Sequence, residues 1–286
     1  MSDSALDAFA ASLVPPALDR TTVSERREPI EDAVKAKTTS VGLVESGSWS
    51  HGTSLKGHSD VDYMSFIPGT SRPVLPSTAL SNLKQALTGA HWSVTKLDIS
   101  SPTVKVTFYA PPHFEIVPAF YKGEQGGIVV FRIPGPNDEW IESIPLAHNK
   151  YVSEVNDRLG KKVKTLVRLV KAWKYSQGVP VSSFYLEMRT VKYSSDESAI
   201  IYDIDLRAVF RRLVAGEMRP MNDPLGVVPR IPATSSEANR TTALRQAREA
   251  LGHLEAAEAA QSAGNRSDYW SHMTSVFGYD YPYPGW

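Results

Sequence analysis

Residues 47–62 read Gly47-Ser48-Trp49-Ser50-His51-Gly52-Thr53-Ser54-Leu55-Lys56-Gly57-His58-Ser59-Asp60-Val61-Asp62. A Gly-Ser pair opens the stretch, a hydroxyl- and glycine-rich connection follows, and two carboxylates close it with one apolar residue between them. Val41, Leu43 and Val44 ahead of it have strand composition, as do Val61, Tyr63, Met64, Phe66 and Ile67 at its end. The expected local order is strand, phosphate-sized loop, strand. Side chains alternate along a strand, so Asp60 and Asp62 project to one side while Val61 enters the core. Carboxylates held that close repel each other unless a cation lies between them, and magnesium, hard and oxygen-seeking, suits the pair. Gly47 and Ser48 would let backbone N–H groups and a hydroxyl approach a triphosphate.

Working outward, the period of two returns downstream. Trp92 and Val94, then Val104, Val106 and Phe108, then Phe114 and Ile116 predict three strands. Glu115 lies between Phe114 and Ile116 and must either face solvent at an edge or have a partner, because burying a lone carboxylate is costly. Gly123–Gly127 reads as a turn, Ile128–Ile133 as a further strand, and residues 134–138 as a loop hinging two lobes. Upstream, helical spacing covers Leu6, Phe9, Ala10 and Leu13, and then residues 17–37 with Ile30, Ala33 and Val34 inward; Ala79, Leu80, Leu83 and Leu87 predict a helix closed by Gly89.

From Ile144 onward the pattern is helical, with no later strand expected. In residues 161–176, Val163, Leu166, Val167, Val170 and Trp173 form an apolar stripe, with Lys164, Arg168, Lys171 and Tyr175 on a neighbouring face. A basic face of this kind is either solvated, its stems lying over the core, or turned to an anion. After the break at Gln177–Pro180, Ser183 falls near a helix N-terminus, where free N–H groups favour phosphate; the alternative makes Ser183 a cap and Phe184 core. Further helices are expected over 202–215, over an alanine-rich segment with Leu244, Leu251 and Leu254 as its stripe, and around Tyr269–Val276.

Bulk properties narrow the class. The 286 residues are 42% hydrophobic and 22% charged, ordinary for a soluble globular chain. Formal net charge is zero, so polyanion binding would need a local patch, either Lys161, Lys162, Lys164, Arg168 and Lys171 or the Arg211-Arg212 pair. With no cysteine, disulfides, thiolate metal sites and a cysteine nucleophile are excluded, and a reducing cytoplasm fits. Histidines 51, 58, 91, 113, 148, 253 and 272 show no metal-ligand spacing. Neither a signal peptide nor a membrane span is expected.

The string Gly-Ser…Gly-Thr-Ser-Leu-Lys-Gly…Ser-Asp-Val-Asp resembles the signature of the polymerase-β-like nucleotidyltransferases. It is most similar to the branch holding the 2′-5′-oligoadenylate synthetases and the bacterial cGAS/DncV-like nucleotidyltransferases, the CD-NTases. The resemblance runs over roughly residues 40–280 and is specific only around the motif. It implies an α+β, two-lobed fold: a mixed β-sheet core lobe with N-terminal helices over 1–143, a helical lobe over 144–286, and the active site in the cleft between. It also implies that Asp60, Asp62 and Glu115 hold two Mg2+ (or Mn2+) ions. Gly47, Ser48, Lys171 and Ser183 would contact the triphosphate, and Phe184 would stack on the donor base. Apart from the resemblance, Asn149 stands by its place in the chain order where it would line an acceptor pocket and read a base edge through its amide. Two positions depart from the family: Glu115 stands where Asp is commoner, and Phe184 where Tyr is common.

The activity so implied joins NTPs into a cyclic di- or trinucleotide second messenger, releasing pyrophosphate. A separate effector would receive the product in bacterial anti-phage signalling, the synthase itself being a cytoplasmic monomer. Competing readings are a linear oligonucleotide synthetase activated by RNA, nucleotidyl transfer to a small molecule, and a degenerate fold that only binds. The long helical half speaks against small-molecule transfer, and the three carboxylates with Lys171 against the degenerate fold. A cysteine-rich zinc insertion is excluded by composition.

Overall fold

The computed structural model describes residues 3–283; residues 1–2 and 284–286, the outermost of the two expected domains, lie outside them. Along the chain run α1 (Asp3–Ser12), α2 (Ala17–Lys37), β1 (Gly42–Ser46), α3 (Gly47–His51), β2 (Val61–Ile67), α4 (Pro76–Leu87), β3 (Val94–Ser100), β4 (Thr103–Phe108), β5 (Phe114–Gln125), β6 (Ile128–Pro134) and β7 (Trp140–Ser143). The helices α5 (Pro145–Arg158), α6 (Val163–Ser176), α7 (Ser183–Ser195), α8 (Tyr202–Ala215), α9 (Glu237–Ser262) and α10 (Arg266–Phe277) follow. The architecture is α+β, and the chain divides into two compact units: Pro15–Tyr151, and Met1–Val14 with Val152–Trp286.

In the first unit all seven strands form one mixed sheet, in the order β1-β2-β5-β4-β3, with β6 on the outer half of β5 and β7 on β6. Only β2 and β5 pair in parallel. Strand alternation sends Val61, Tyr63, Val104, Val106, Phe114 and Ile116 to one face, where they meet Val23, Ile30 and Val34 of α2 and Leu80, Leu83 and Leu87 of α4. The opposite face keeps only a small apolar group of Met64, Ala119 and Phe131, with Phe66 stacked on Phe131. That leaves its other end to polar side chains.

The second unit is built on α6, which packs against α1, α7, α8 and α10. The five residues of the expected stripe are all buried, and so are Leu169, Lys171 and Ala172. Each fully buried aliphatic or aromatic side chain here contributes about 1.5–3 kcal/mol relative to exposure.

Four expectations change. Residues 47–51 form a single helical turn rather than a loop. The segment 134–138 is no hinge between units, because β7 follows it and pairs back on β6. The first helix groups with the helical unit: Phe9 lies 5.1 Å from the Phe277 ring and 5.2 Å from Tyr281, burial that the spacing of its apolar residues alone did not assign to a partner. In α9 the buried stripe is Ala243, Ala247, Ala250, Leu254 and Ala257, with Leu244 and Leu251 half-exposed. Small residues let α8 and α10 pack closely against this helix.

Candidate active site

Strand register builds the site. Asp62 on β2 stands opposite Glu115 on β5, and the same row continues to Ser46 on β1 and Lys105 on β4. Asp98 on β3 completes it beside Lys105. Paired residues on neighbouring strands point to the same face, so this row lies on the face that α2 and α4 leave uncovered. Asp62, Glu115 and Lys105 are each flanked by two core residues, namely Val61 and Tyr63, Phe114 and Ile116, and Val104 and Val106. Those anchors fix the direction of the polar side chain between them. Asp60 lies one residue ahead of β2, and the chain there is held by the Val61 N–H donating to the His113 carbonyl at 2.8 Å.

Gly47 is demanded by this arrangement. Its φ is +60°, and a Cβ there would stand 2.1 Å from Asp62 Oδ2. The sequence reading valued Gly47 for approach to phosphate; the structure adds that the same missing side chain makes room for the Asp62 carboxylate. Trp49 locks the turn by burying its ring and donating its indole N–H to the Ser59 carbonyl at 3.3 Å. Thr53 N–H closes on the Ser48 carbonyl at 2.8 Å, and Gly52 ends the turn at φ +68°. Ser48 itself is half-exposed. Asn149, expected to read a base, donates its amide N–H to Ser50 Oγ at 2.6 Å and so ties α5 to α3.

Lys105 is the member that sequence reasoning missed. Its ammonium donates to the Asp60 carboxylate and lies 3.9 Å from Glu115 Oε1. A signal was present: Lys105 sits between Val104 and Val106 just as Glu115 sits between Phe114 and Ile116, and an antiparallel β4–β5 pairing sets the two opposite. Burial pushes the Glu115 carboxyl up, Asp60 adds to this by repulsion, and Lys105 opposes it. Desolvation works to lower the Lys105 ammonium but is outweighed by its hydrogen bond to Asp60 and the fields of Asp60, Glu115 and Asp98, which leave it raised.

Among the described residues no group of three or more His, Cys, Asp or Glu stands ready-made as a metal site. Asp60 is turned to Lys105. Even so, the donor set is all carboxylate oxygen, Asp62 and Glu115 sit on adjacent paired strands, and Gly47 makes room for the Asp62 carboxylate. These residues fit a hard divalent ion such as Mg2+ or Mn2+, with Lys105 the side chain that must give way.

The helical unit corrects one assignment. Lys171, expected at a triphosphate, is 2% exposed and ion-paired with the equally buried Glu187 of α7. The cation next to Ser183 is Lys174, whose Nζ donates to Ser183 Oγ at 2.6 Å, with the Tyr175 hydroxyl 3.1 Å from the same oxygen. Burial, with the Lys171 ammonium adding to it, holds Lys174 below the usual lysine range. The α7 cap is Ser182, which accepts from Tyr185 N–H; that leaves Ser183 in the first turn and Phe184 half-buried after it. Several members of the basic patches considered for polyanion binding are already engaged. Lys171 is internal, Lys162 lies over the Tyr202 ring and donates to the Ile200 carbonyl at 3.1 Å, and Arg211 and Arg212 pair with Glu255 and Asp196.

Nucleotidyl-transfer architecture is what this fold and carboxylate row define, and the chain belongs to the Second Messenger Oligonucleotide or Dinucleotide Synthetase domain family, whose model matches residues 1–156. Among solved structures it is similar to CdnC of E. coli MS115-1 determined with ATP, with a TM-score of 0.78 at 21% identity over 98% of both chains. The CD-NTase CdnG of Bradyrhizobium diazoefficiens in complex with GTP gives 0.76 at 15% identity, covering 96% of this chain and 94% of that one. The cyclic AMP-GMP synthase DncV of Vibrio cholerae gives 0.66 at 16% identity, covering 84% and 70%. These likenesses establish the fold. A probable cyclic nucleotide synthase of Bacillus cereus (strain VD146) is 25% identical over 177 residues, 59% of this chain; the chain spans about half the length of that curated relative. No helix among the described residues is long and apolar enough to cross a membrane.

Proposed function

We propose that the protein is a metal-dependent nucleotidyltransferase that joins NTPs into a cyclic di- or trinucleotide, releasing pyrophosphate. The observation that carries this reading is the register of Asp62 against Glu115, with Asp60 one residue ahead of β2 and Gly47 making room for the Asp62 carboxylate. In the reaction a ribose hydroxyl attacks the α-phosphorus; a new P–O bond forms, the bond to pyrophosphate breaks, and the hydroxyl proton is lost. When bound, two Mg2+ or Mn2+ ions supply the charge that acidifies the hydroxyl and neutralises the leaving group. Asp60, Asp62 and Glu115 would hold them. Ser48, on the turn next to Gly47, is the candidate phosphate contact of the sheet unit. Ser183 with Lys174 is that of the helical unit, Lys171 being committed to Glu187. Phe184 and Asn149 stay as candidate base contacts; Asn149 would have to exchange its bond to Ser50 for one to a base.

The signalling role rests on the family alone: a cytoplasmic, monomeric synthase whose product acts on a separate effector in anti-phage defence. Incubation with all four labelled NTPs and Mg2+ or Mn2+, followed by nuclease digestion and mass analysis, tests the chemistry. A nuclease-resistant cyclic product, absent in Asp60→Asn, is expected. A linear product would leave the transfer chemistry standing and remove the cyclase; equal yields from both proteins would remove the site.

A further inference from the structure

The Lys105 ammonium in the carboxylate row has no place in the reaction just described. Lys105 stands on β4 directly opposite Glu115, bonds to Asp60, and has Asp98 beside it on β3. Its charge therefore occupies the space between Asp60 and Glu115, the two carboxylates that a divalent ion would have to bring together. Its side chain is 34% exposed and those of Asp60 and Glu115 are 28% and 33% exposed, so the contact is open to exchange with solvent ions. Without Lys105, Asp60 and Glu115 would repel each other with no ammonium between them. With it, Asp60 is turned toward β4.

We propose that Lys105 is a tethered counter-cation that holds Asp60 in the ion-free protein and competes with the divalent ion for it, setting the ion concentration at which the site loads. The proposal rests on the metal-binding reading above. It assigns Lys105 a positioning role: the ion displaces its ammonium from Asp60, and the lysine swings to solvent, Asp98 being already paired with Lys96 at 2.9 Å. The competition is between a covalently held monovalent charge and a free divalent one. At this degree of exposure, removing the competitor is worth about one order of magnitude in affinity.

The test is direct binding of Mn2+ alone to the full chain, without nucleotide, measured by calorimetry and by the electron paramagnetic resonance signal of free Mn2+. Lys105→Met should bind Mn2+ about tenfold more tightly than wild type, whereas Lys105→Arg, which keeps the charge, should stay near wild type. Unchanged or weaker binding in Lys105→Met overturns the proposal. A second measurement needs no variant: acetylation of Lys105, followed by mass spectrometry, should rise with added Mn2+ along the binding curve. Flat reactivity through saturation overturns the proposal even if Lys105→Met does not fold. Failure of the underlying reading looks different. Wild type would then bind no Mn2+, or Asp60→Asn would bind as well as wild type, and the metal site and the competition would fall together.

Discussion

Two of the molecule's lysine–carboxylate pairs have the same chemistry in opposite surroundings. Lys171 and Glu187 are each 2% exposed inside the helical unit. Lys105 and Asp60 are about a third exposed on the open face of the sheet. A pair sealed from water is a structural commitment: desolvation has been met once for both charges, and removing one leaves the other's charge buried without its opposite. A pair that water reaches is exchangeable, because solvent and ions compensate either partner at little cost. The sealed lysine is thus poorly suited to meet a ligand, and the exposed carboxylate well suited to change partners.

The strongest break of this comparison is at the exposed pair. Asp60→Asn or Asp62→Asn should lower product formation by on the order of a thousandfold or more, since charge stabilisation of the transferring phosphoryl group would depend on the ions they are proposed to hold. Thermal unfolding without added metal should hardly move, because the residues are part-exposed. Turnover within tenfold of wild type in Asp60→Asn would show that this pair, too, is only structural.

The sealed pair should give the mirror image. Glu187→Gln removes the negative charge beside the buried Lys171 ammonium and should cost about 3–5 kcal/mol, a melting temperature lower by roughly 10 °C. The double change Lys171→Met with Glu187→Leu should recover most of that loss. If Lys171→Met alone leaves stability intact and specifically weakens triphosphate binding, the original assignment of Lys171 to the nucleotide is restored.

How much of this was legible in the sequence follows from which interactions are local. The spacing of Asp60 and Asp62, and the isolation of Glu115 between two core residues, are properties of single strands, so one sequence exposes them. Lys105 has the same local signature, but its meaning comes from strand pairing, which a period of two does not specify. The burial of Lys171 was hidden for a similar reason. Helical spacing marks the richest apolar face of α6 yet cannot count its neighbours, and a helix packed against four others buries more than one stripe. Likewise β7 is four residues long and follows a turn, too short for alternation to register.

Gly47 sharpens the exposed side of the comparison without altering charge. Gly47→Ala adds only a methyl group, at φ +60° and 2.1 Å from Asp62 Oδ2, so Asp62 must shift. A displacement of this size at a reacting centre should cost about a hundredfold in turnover, while the unfavourable backbone conformation costs about 1 kcal/mol of stability. Activity equal to wild type would mean that the Asp62 position observed here is not the working one.

The smallest expected effect tests whether the helical unit has an exchangeable cation of its own. Lys174 is one helical turn from the sealed Lys171, yet its ammonium is bound to a hydroxyl, Ser183, rather than to a carboxylate. Losing a neutral partner to a phosphate is a small exchange, and burial already holds this lysine below its usual range, so a polyanion that restores its charge is favoured. Lys174→Met should therefore raise the apparent KM for NTP about tenfold with little change in melting temperature, as one charge-assisted contact is lost. Ser183→Ala should do less, because it removes a neutral partner and leaves the ammonium. The effect in wild type should also weaken at alkaline pH, where Lys174, its proton released earlier than an ordinary lysine's, loses the charge that binds phosphate. An unchanged KM in Lys174→Met across that range would leave the helical unit with structural lysines only.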